Sequence, residues 1–289
     1  MKLANFEKGG FVRAGIIKGE EIYDISMDAK EPISSVEQIL DDSILKAVRR
    51  AEPELTRGFG TPVSSARLKS PVLYPEKIIM VAVNYWGHSK EENTKPPPFP
   101  YLFAKYRNAL IGPGDAIVKP RVSQRVDWEV ELAVVIGKRG KDIRREDAYS
   151  YVAGYSVSND VSMRDLQHQS SPPLGINWVK GKSMDASFPL GPWLVTRDEI
   201  PDPHTLAMSL SVNGQLKQSS NTNDMIFKVD ELVSYASIGM TLQPGDIIST
   251  GTPAGVAEGS GSPFLKEGDV VEATIEGIGT LRNPVTEER

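Results

Sequence analysis

The chain has 289 residues, 39% hydrophobic and 25% charged, with a formal net charge of −5 and no cysteine. A mildly acidic chain lacks the basic footprint of a nucleic-acid binder, and no apolar run is long enough to cross a bilayer as a helix. Without cysteine there are no disulfides, zinc–thiolate centres or cysteine nucleophiles. The N-terminal stretch is charged where a signal peptide needs an apolar run, so the cytoplasm is the expected location.

The length suits a small domain followed by a larger one. Residues 1–68 form the expected small α+β unit. Lys2 to Phe6, Val12 to Ile17 and Ile22 to Ile25 read as short strands, turned by Gly9-Gly10 and Lys18-Gly19-Glu20. Ser35 is placed to cap a helical stretch through Leu40, and Asp42 a second through Ala51. Pro53, Gly58, Gly60 and Pro62 then mark a linker.

The larger unit spans 69–289. Ile78 to Val83 is a short buried strand, and the polar, proline-ended run Tyr85 to Pro100 reads as a mobile loop. Trp128 to Gly137 alternates, with Val130, Leu132, Val134 and Ile136 on one face and Glu129, Glu131, Ala133 and Val135 on the other. Gly154 to Asn159 is a strand, and a helical run from Ser162 to Gln169 follows. Leu206 to Gln218 reads as a hairpin around Asn213-Gly214. A helix from Asp230 to Ile238 stops near Gly239, and strands at Asp246 to Ser249, Asp269 to Glu276 and Thr280 to Val285 close the chain. Strands outnumber helices without regular alternation, which is a β-rich α+β pattern.

Glu129 and Glu131, two apart in a strand, point the same way. Like charges side by side repel, so the pair is either an exposed strand face or a cation site. Asp160 ends the next strand and could simply cap a helix. Alternatively it is a third carboxylate, with Arg164 and Gln167 on the same side of a helical turn, aimed at an anionic substrate. Three carboxylates suit Mg²⁺, Mn²⁺ or Ca²⁺. His88 and Glu91, three apart, meet on a helical turn and could form a general base, although a solvated loop histidine is the blander reading. His168 and His204 have no such company. Lys182, between small residues, is either part of a solvated turn or a cation for a carboxylate or enolate. The glycines of Thr250-Gly251-Thr252-Pro253-Ala254-Gly255-Val256 allow backbone N–H groups to approach a ligand carboxylate, or merely make a tight turn.

Five segments in order resemble the fumarylacetoacetate hydrolase family, in its bacterial-type, acylpyruvase-like branch. They are Asn84-Tyr85-x-x-His88-x-x-Glu91, Asp127-Trp128-Glu129-Val130-Glu131-Leu132-Ala133, Asn159-Asp160-Val161-Ser162-Met163-Arg164-Asp165-x-Gln167, Gly181-Lys182-Ser183-Met184-Asp185 and Thr250-Gly251-Thr252-Pro253. The similarity runs from about Leu73 to Val285. It implies a mixed β-roll core, a homodimer, and Mg²⁺ or Mn²⁺ held by Glu129, Glu131 and Asp160. It further implies His88 and Glu91 as a water-activating dyad on a lid, Lys182 as an enolate-stabilising cation, and Tyr85, Arg164, Gln167 and Thr252 around the substrate. The expected activity is metal-dependent hydrolysis of a C–C bond in an acylpyruvate-like 2-oxo acid. Decarboxylation of oxaloacetate passes through the same enolate and is the first alternative, with sugar-acid lyase or dehydratase chemistry next. A metal-holding binding protein is the non-enzymatic alternative, against which an intact His88–Glu91 pair argues.

Overall fold

The computed structural model describes residues 1–25, 33–169 and 175–289. The chain starts as a meander of β1 (Lys2–Lys8), β2 (Phe11–Lys18) and β3 (Glu21–Asp24). Helix α1 (Asp42–Leu55) is capped by Asp41, not by the expected Asp42: the Asp41 side chain accepts from the Ser43 N–H at 2.9 Å. This helix runs past Ala51 and carries Pro53 in its last turn.

Downstream come β4 (Ile78–Ala82), α2 (Trp86–Glu91), β5 (Tyr101–Lys105), β6 (Val130–Ile136) and β7 (Val152–Asn159). They are followed by α3 (Arg164–Gln167), α4 (Trp178–Lys182), β8 (Phe188–Thr196), β9 (Ala207–Val212) and β10 (Gln215–Asn221). The last elements are α5 (Val229–Ser237), β11 (Ile247–Ser249), β12 (Val270–Ile275) and β13 (Gly279–Glu287). The Asn213-Gly214 turn joins β9 to β10 with both residues at positive φ, as a tight hairpin requires. The run expected to be all loop after β4 instead begins as helix α2. No helix among the described residues is long and apolar enough to cross a membrane.

The main sheet has the order Thr61–Pro62, β3, β2, β1, β8, β7, β6, β11, β4, β5. Along it only β11 and β4 are parallel. A second sheet, β10, β9, β12, β13 and Ile117–Lys119, packs beside it. The meander joins the main sheet through β1, with Lys2 opposite Val195 and Leu3 opposite Leu194. One side of it encloses a small core of Ala4, Phe6, Ile17 and Ile22. Its other side places Leu3, Ala14 and Ile16 in the same core as Ala133, Val135 and Leu190.

Strand β6 is the spine of the molecule, because both its faces are buried. Val130, Leu132, Val134 and Ile136 enter one core and Ala133 and Val135 the other. The alternation read from the sequence is real, but neither face meets water. An exposed strand face therefore does not explain the glutamates.

Candidate metal centre and active site

Strands β6 and β7 bring the carboxylates together by register. Val130 lies opposite Asn159 and Glu131 opposite Ser158. One step further out, Asp160 donates its N–H to the Glu129 carbonyl at 2.9 Å. Glu129 immediately precedes β6 instead of lying in it, so strand alternation alone does not place it. Even so, Glu129, Glu131 and Asp160 each offer one carboxylate oxygen within 4.8 Å of the others, and all three are buried.

Cations balance part of this charge. Lys182 Nζ donates to Glu129 Oε2 and to Asp160 Oδ2, both at 2.8 Å. Lys105 Nζ donates to Asp160 Oδ1 at 2.6 Å and to the Val161 carbonyl at 2.9 Å. The Arg164 guanidinium donates to Asp127 at 2.9 Å and to Glu129 at 2.5 Å. Burial alone would raise the Glu129 carboxyl, but Lys182, Arg164 and His88 outweigh it and hold the pKa at about 2. Glu131 differs. Burial, then Asp160 and Glu129, push its pKa well above the usual range, and no ion pair reaches it among the described residues. A buried carboxylate that lacks a cation, beside two more carboxylates, is the donor chemistry of a hard divalent ion. The residues fit Mg²⁺ or Mn²⁺.

Above this cluster lies a cavity of about 150 Å³, lined by the triad together with His88, Arg164, Gln167, Lys182 and Thr252. His88 is buried on α2, with Nδ1 at 3.3 Å from Glu91 Oε2. Glu91 is fixed in turn by the Gly255 N–H, at 2.9 and 3.1 Å. The expectation that the 250–256 glycines serve a ligand is corrected here, since their N–H groups serve the protein's own carboxylates. The Gly251 N–H reaches Glu131 Oε2 at 3.1 Å, beside the Ser249 hydroxyl at 2.5 Å. Gly251 has φ +90°, and a Cβ there would come within 2.8 Å of Asn84.

Other expected residues land differently. Asp160 caps no helix: α3 begins only at Arg164, and Ser162–Met163 pair as a short strand with Val126–Asp127. The helical-spacing argument for Asp160, Arg164 and Gln167 thus fails, although all three line the cavity. Arg164 is directed at Asp127 and Glu129, leaving Gln167 as the less committed polar group. Tyr85 is fully buried with its hydroxyl toward Met208, and it is not among the cavity's lining residues. Thr252 lines the cavity while its hydroxyl donates to the Val130 carbonyl at 2.9 Å. Lys182 ends helix α4 and is not in a solvated turn. His204 accepts the Val229 N–H at 3.1 Å, a structural task. His168, although half-exposed and paired with Glu258 at 3.2 Å, reaches the cavity wall.

Two residues at the site were given no role by sequence reasoning. Lys105 ends an apolar strand, two residues past Phe103, and a lysine at such a position was the available signal. Asp127 accepts from the Trp128, Ala257 and Glu258 N–H groups at 2.8, 2.7 and 3.0 Å as well as from Arg164, so it ties three segments together.

With this geometry in view, the comparisons are specific. Residues 77–286 match the sequence model of the fumarylacetoacetate (FAA) hydrolase C-terminal domain. The chain is 48% identical over 245 residues to oxaloacetate tautomerase FAHD2B, mitochondrial, of Bos taurus, covering 84% of this chain and 76% of the relative. It is 47% identical over 225 residues to the Homo sapiens protein of the same name, covering 78% and 71%. Among solved structures, the maleylpyruvate hydrolase of Sphingobium sp. SYK-6 shares 33% identity over the whole of both chains with a TM-score of 0.82. A second structure of that hydrolase holds manganese(II) and pyruvate. The fumarylacetoacetate hydrolase of Exiguobacterium antarcticum shares 36% identity, again over both whole chains, at 0.81. The chain belongs to the fumarylacetoacetate hydrolase family, whose members named here are enzymes. The cytoplasmic expectation does not survive, because the similar oxaloacetate tautomerases are named as mitochondrial. Cysteine content and a charged N-terminal stretch carry no address by themselves.

Proposed function

We propose that this chain is a divalent-metal-dependent enzyme that interconverts the keto and enol forms of a small 2-oxo acid, with oxaloacetate as the substrate. The observation that carries this reading is one small cavity that joins a carboxylate triad, the Lys182 ammonium and the His88–Glu91 pair. A bound divalent cation supplies Lewis acidity toward the 2-oxo group. Gln167 orients the carboxylate end of the substrate, with Thr252 in the cavity wall beside it. With Nδ1 held by Glu91, His88 Nε2 takes a proton from C3 and returns it to carbon or oxygen. Lys182 stabilises the negative charge that develops on the 2-oxo oxygen. The small volume above the triad keeps bulk water from the enolate.

The relatives' name supports oxaloacetate as substrate, with tautomerisation in place of both the expected acylpyruvate hydrolysis and its first alternative, decarboxylation. Acylpyruvate hydrolysis is the second reading. It is favoured by the likeness to maleylpyruvate hydrolase over the whole chain, and the same base would then activate water instead of taking the C3 proton. The test follows the ultraviolet absorbance of enol-oxaloacetate with Mn²⁺, then with excess chelator, and assays pyruvate release from acetylpyruvate in parallel. Metal-dependent acceleration of enol decay supports the proposal. Decay at the buffer rate alongside rapid pyruvate release would replace it with hydrolysis.

A further inference from the structure

Helix α2 carries both members of the His88–Glu91 pair, yet it has only six residues. A helix this short is unstable alone and depends on what holds it. Tyr85, at its N-cap position, makes no side-chain capping bond, and the Tyr85 hydroxyl points away toward Met208. The first N–H groups of a helix still need acceptors. One comes from far along the chain, where Asp224 Oδ2 accepts the Gly87 N–H at 2.9 Å. Gly87 is the second helical residue, whose N–H is one that an ordinary N-cap side chain takes. A carboxylate there also meets the positive end of the helix dipole. A Cβ on Gly87 would lie 3.2 Å from the same oxygen, so the glycine leaves Asp224 its room.

Asp224 belongs to a platform that grips the entry to α2. It ends a 3-10 turn, Thr222–Asp224, just after β10. Thr222 is tied to Leu206: its N–H donates to the Leu206 carbonyl and its hydroxyl accepts the Leu206 N–H, both at 2.9 Å. The residues after Asp224 bind the chain just ahead of α2. The Asn84 side chain accepts the Phe227 N–H at 2.8 Å and donates to the Phe227 and Thr250 carbonyls at 3.1 and 2.7 Å. The Asn84 carbonyl accepts the Ile226 N–H at 2.8 Å, and Tyr85 bridges to Met225. Val83, one residue earlier, holds φ +52°. A β-branched side chain rarely adopts that conformation, and it persists only where the surroundings over-determine it. At the far end of α2 the Gly255 N–H holds Glu91. His88 therefore rides on a short helix pinned at both ends, one residue after the capped N–H.

We propose that Asp224 is a positioning residue for the base: it caps α2 in place of Tyr85, and this cap keeps His88 at the carboxylate triad. The inference rests on the reading of His88 as the base. Asp224 is not among the residues lining the cavity, so it acts through the helix.

The test joins hydrogen exchange to a double-mutant cycle on the Mn²⁺-loaded full chain. Losing an N-cap shifts a helix equilibrium by about fivefold, so Asp224→Ala should speed exchange of the α2 amides by about that factor. The turnover number should fall by a similar factor, followed as enol-oxaloacetate decay or as pyruvate release, whichever the parent runs. Mn²⁺ and oxalate affinities should stay within about twofold, because the triad is untouched. Asp224→Asn keeps an accepting oxygen and should restore most of both losses. In a His88→Ala background, Asp224→Ala should cost no further rate, because the two act as one unit. Unchanged exchange in α2 would overturn the cap, as would failure of Asp224→Asn to restore it. Faster exchange at full turnover would overturn its bearing on the base, and so would an equal loss of rate with and without His88. A His88→Ala variant that runs at the parent rate would instead remove the reading of His88 as the base. The positioning role would fall with it, even where the exchange result holds.

Discussion

At the inner end of the hollow, Glu129, Glu131 and Asp160 each accept bonds from named donors, and Lys182, Lys105 and Arg164 each have fixed acceptors. At the outer end, where a second cavity of about 580 Å³ adjoins the first, Trp178 and Tyr101 present faces without a polar network, and Lys95 stands without a partner among the described residues. The inner end is preorganised for charge, where a low local dielectric makes each misplaced group costly. The outer end is mostly apolar with one cation among its described lining residues, and a change there breaks no such network.

That contrast breaks most visibly at the triad. Asp160→Asn or Glu129→Gln should lose Mn²⁺ binding and bring turnover to the buffer rate, as excess chelator should in the parent. Full activity of either variant under chelator would show that the triad holds no working metal. The next largest effect belongs to His88→Ala. Removing a positioned base should slow enol-oxaloacetate decay by about 10² to 10⁴ while Mn²⁺ affinity, read by calorimetry, stays intact. Equal loss of metal would make His88 part of the metal site instead. Ser249→Ala removes the hydroxyl that holds Glu131 and should weaken Mn²⁺ by about 10- to 100-fold. Unchanged affinity would mean that Gly251 alone positions that carboxylate.

The smallest effect contrasts two histidines. His204 lies outside both cavities, where burial and then Lys228 push its pKa down against Asp202 and Asp230. Folding therefore favours neutral His204. Its contribution to stability is full above the unfolded value near about 6.5 and is lost as pH falls through the depressed folded value. His204→Asn should flatten the fall in melting temperature on acidification without touching turnover at neutral pH. An unchanged slope would show that the Val229 N–H bond contributes nothing that titrates.

Glu131 and Asp160 were legible in the sequence because alternation in β6 and the end of β7 are local patterns, whereas Glu129 lies just before β6 and is held in place by the Asp160 N–H on its carbonyl. The Asn213-Gly214 hairpin was legible for the same reason. Lys105 was not, because it meets Asp160 only after β5 pairs with β4 at the far side of β11. The role of Asp127 stayed hidden because it depends on the Ala257 and Glu258 N–H groups, more than a hundred residues away, and on the Arg164 side chain, which meets it only in the folded chain. The targets of Gly251 and Gly255 followed the same rule: a glycine shows that the backbone comes close to something, and only tertiary structure shows to what. The extent of α2 and the start of α3 were misread because buried side-chain contacts, not propensity, set such short helices.

The Gly251 to Gly255 turn has a consequence for how this scaffold can diversify. Two peptide groups four positions apart hold a triad carboxylate and the partner of the base. An insertion or a side chain in that turn would displace both at once, so a lineage cannot retune acidity and basicity there one at a time. A protein engineer seeking new substrates should therefore leave this turn alone.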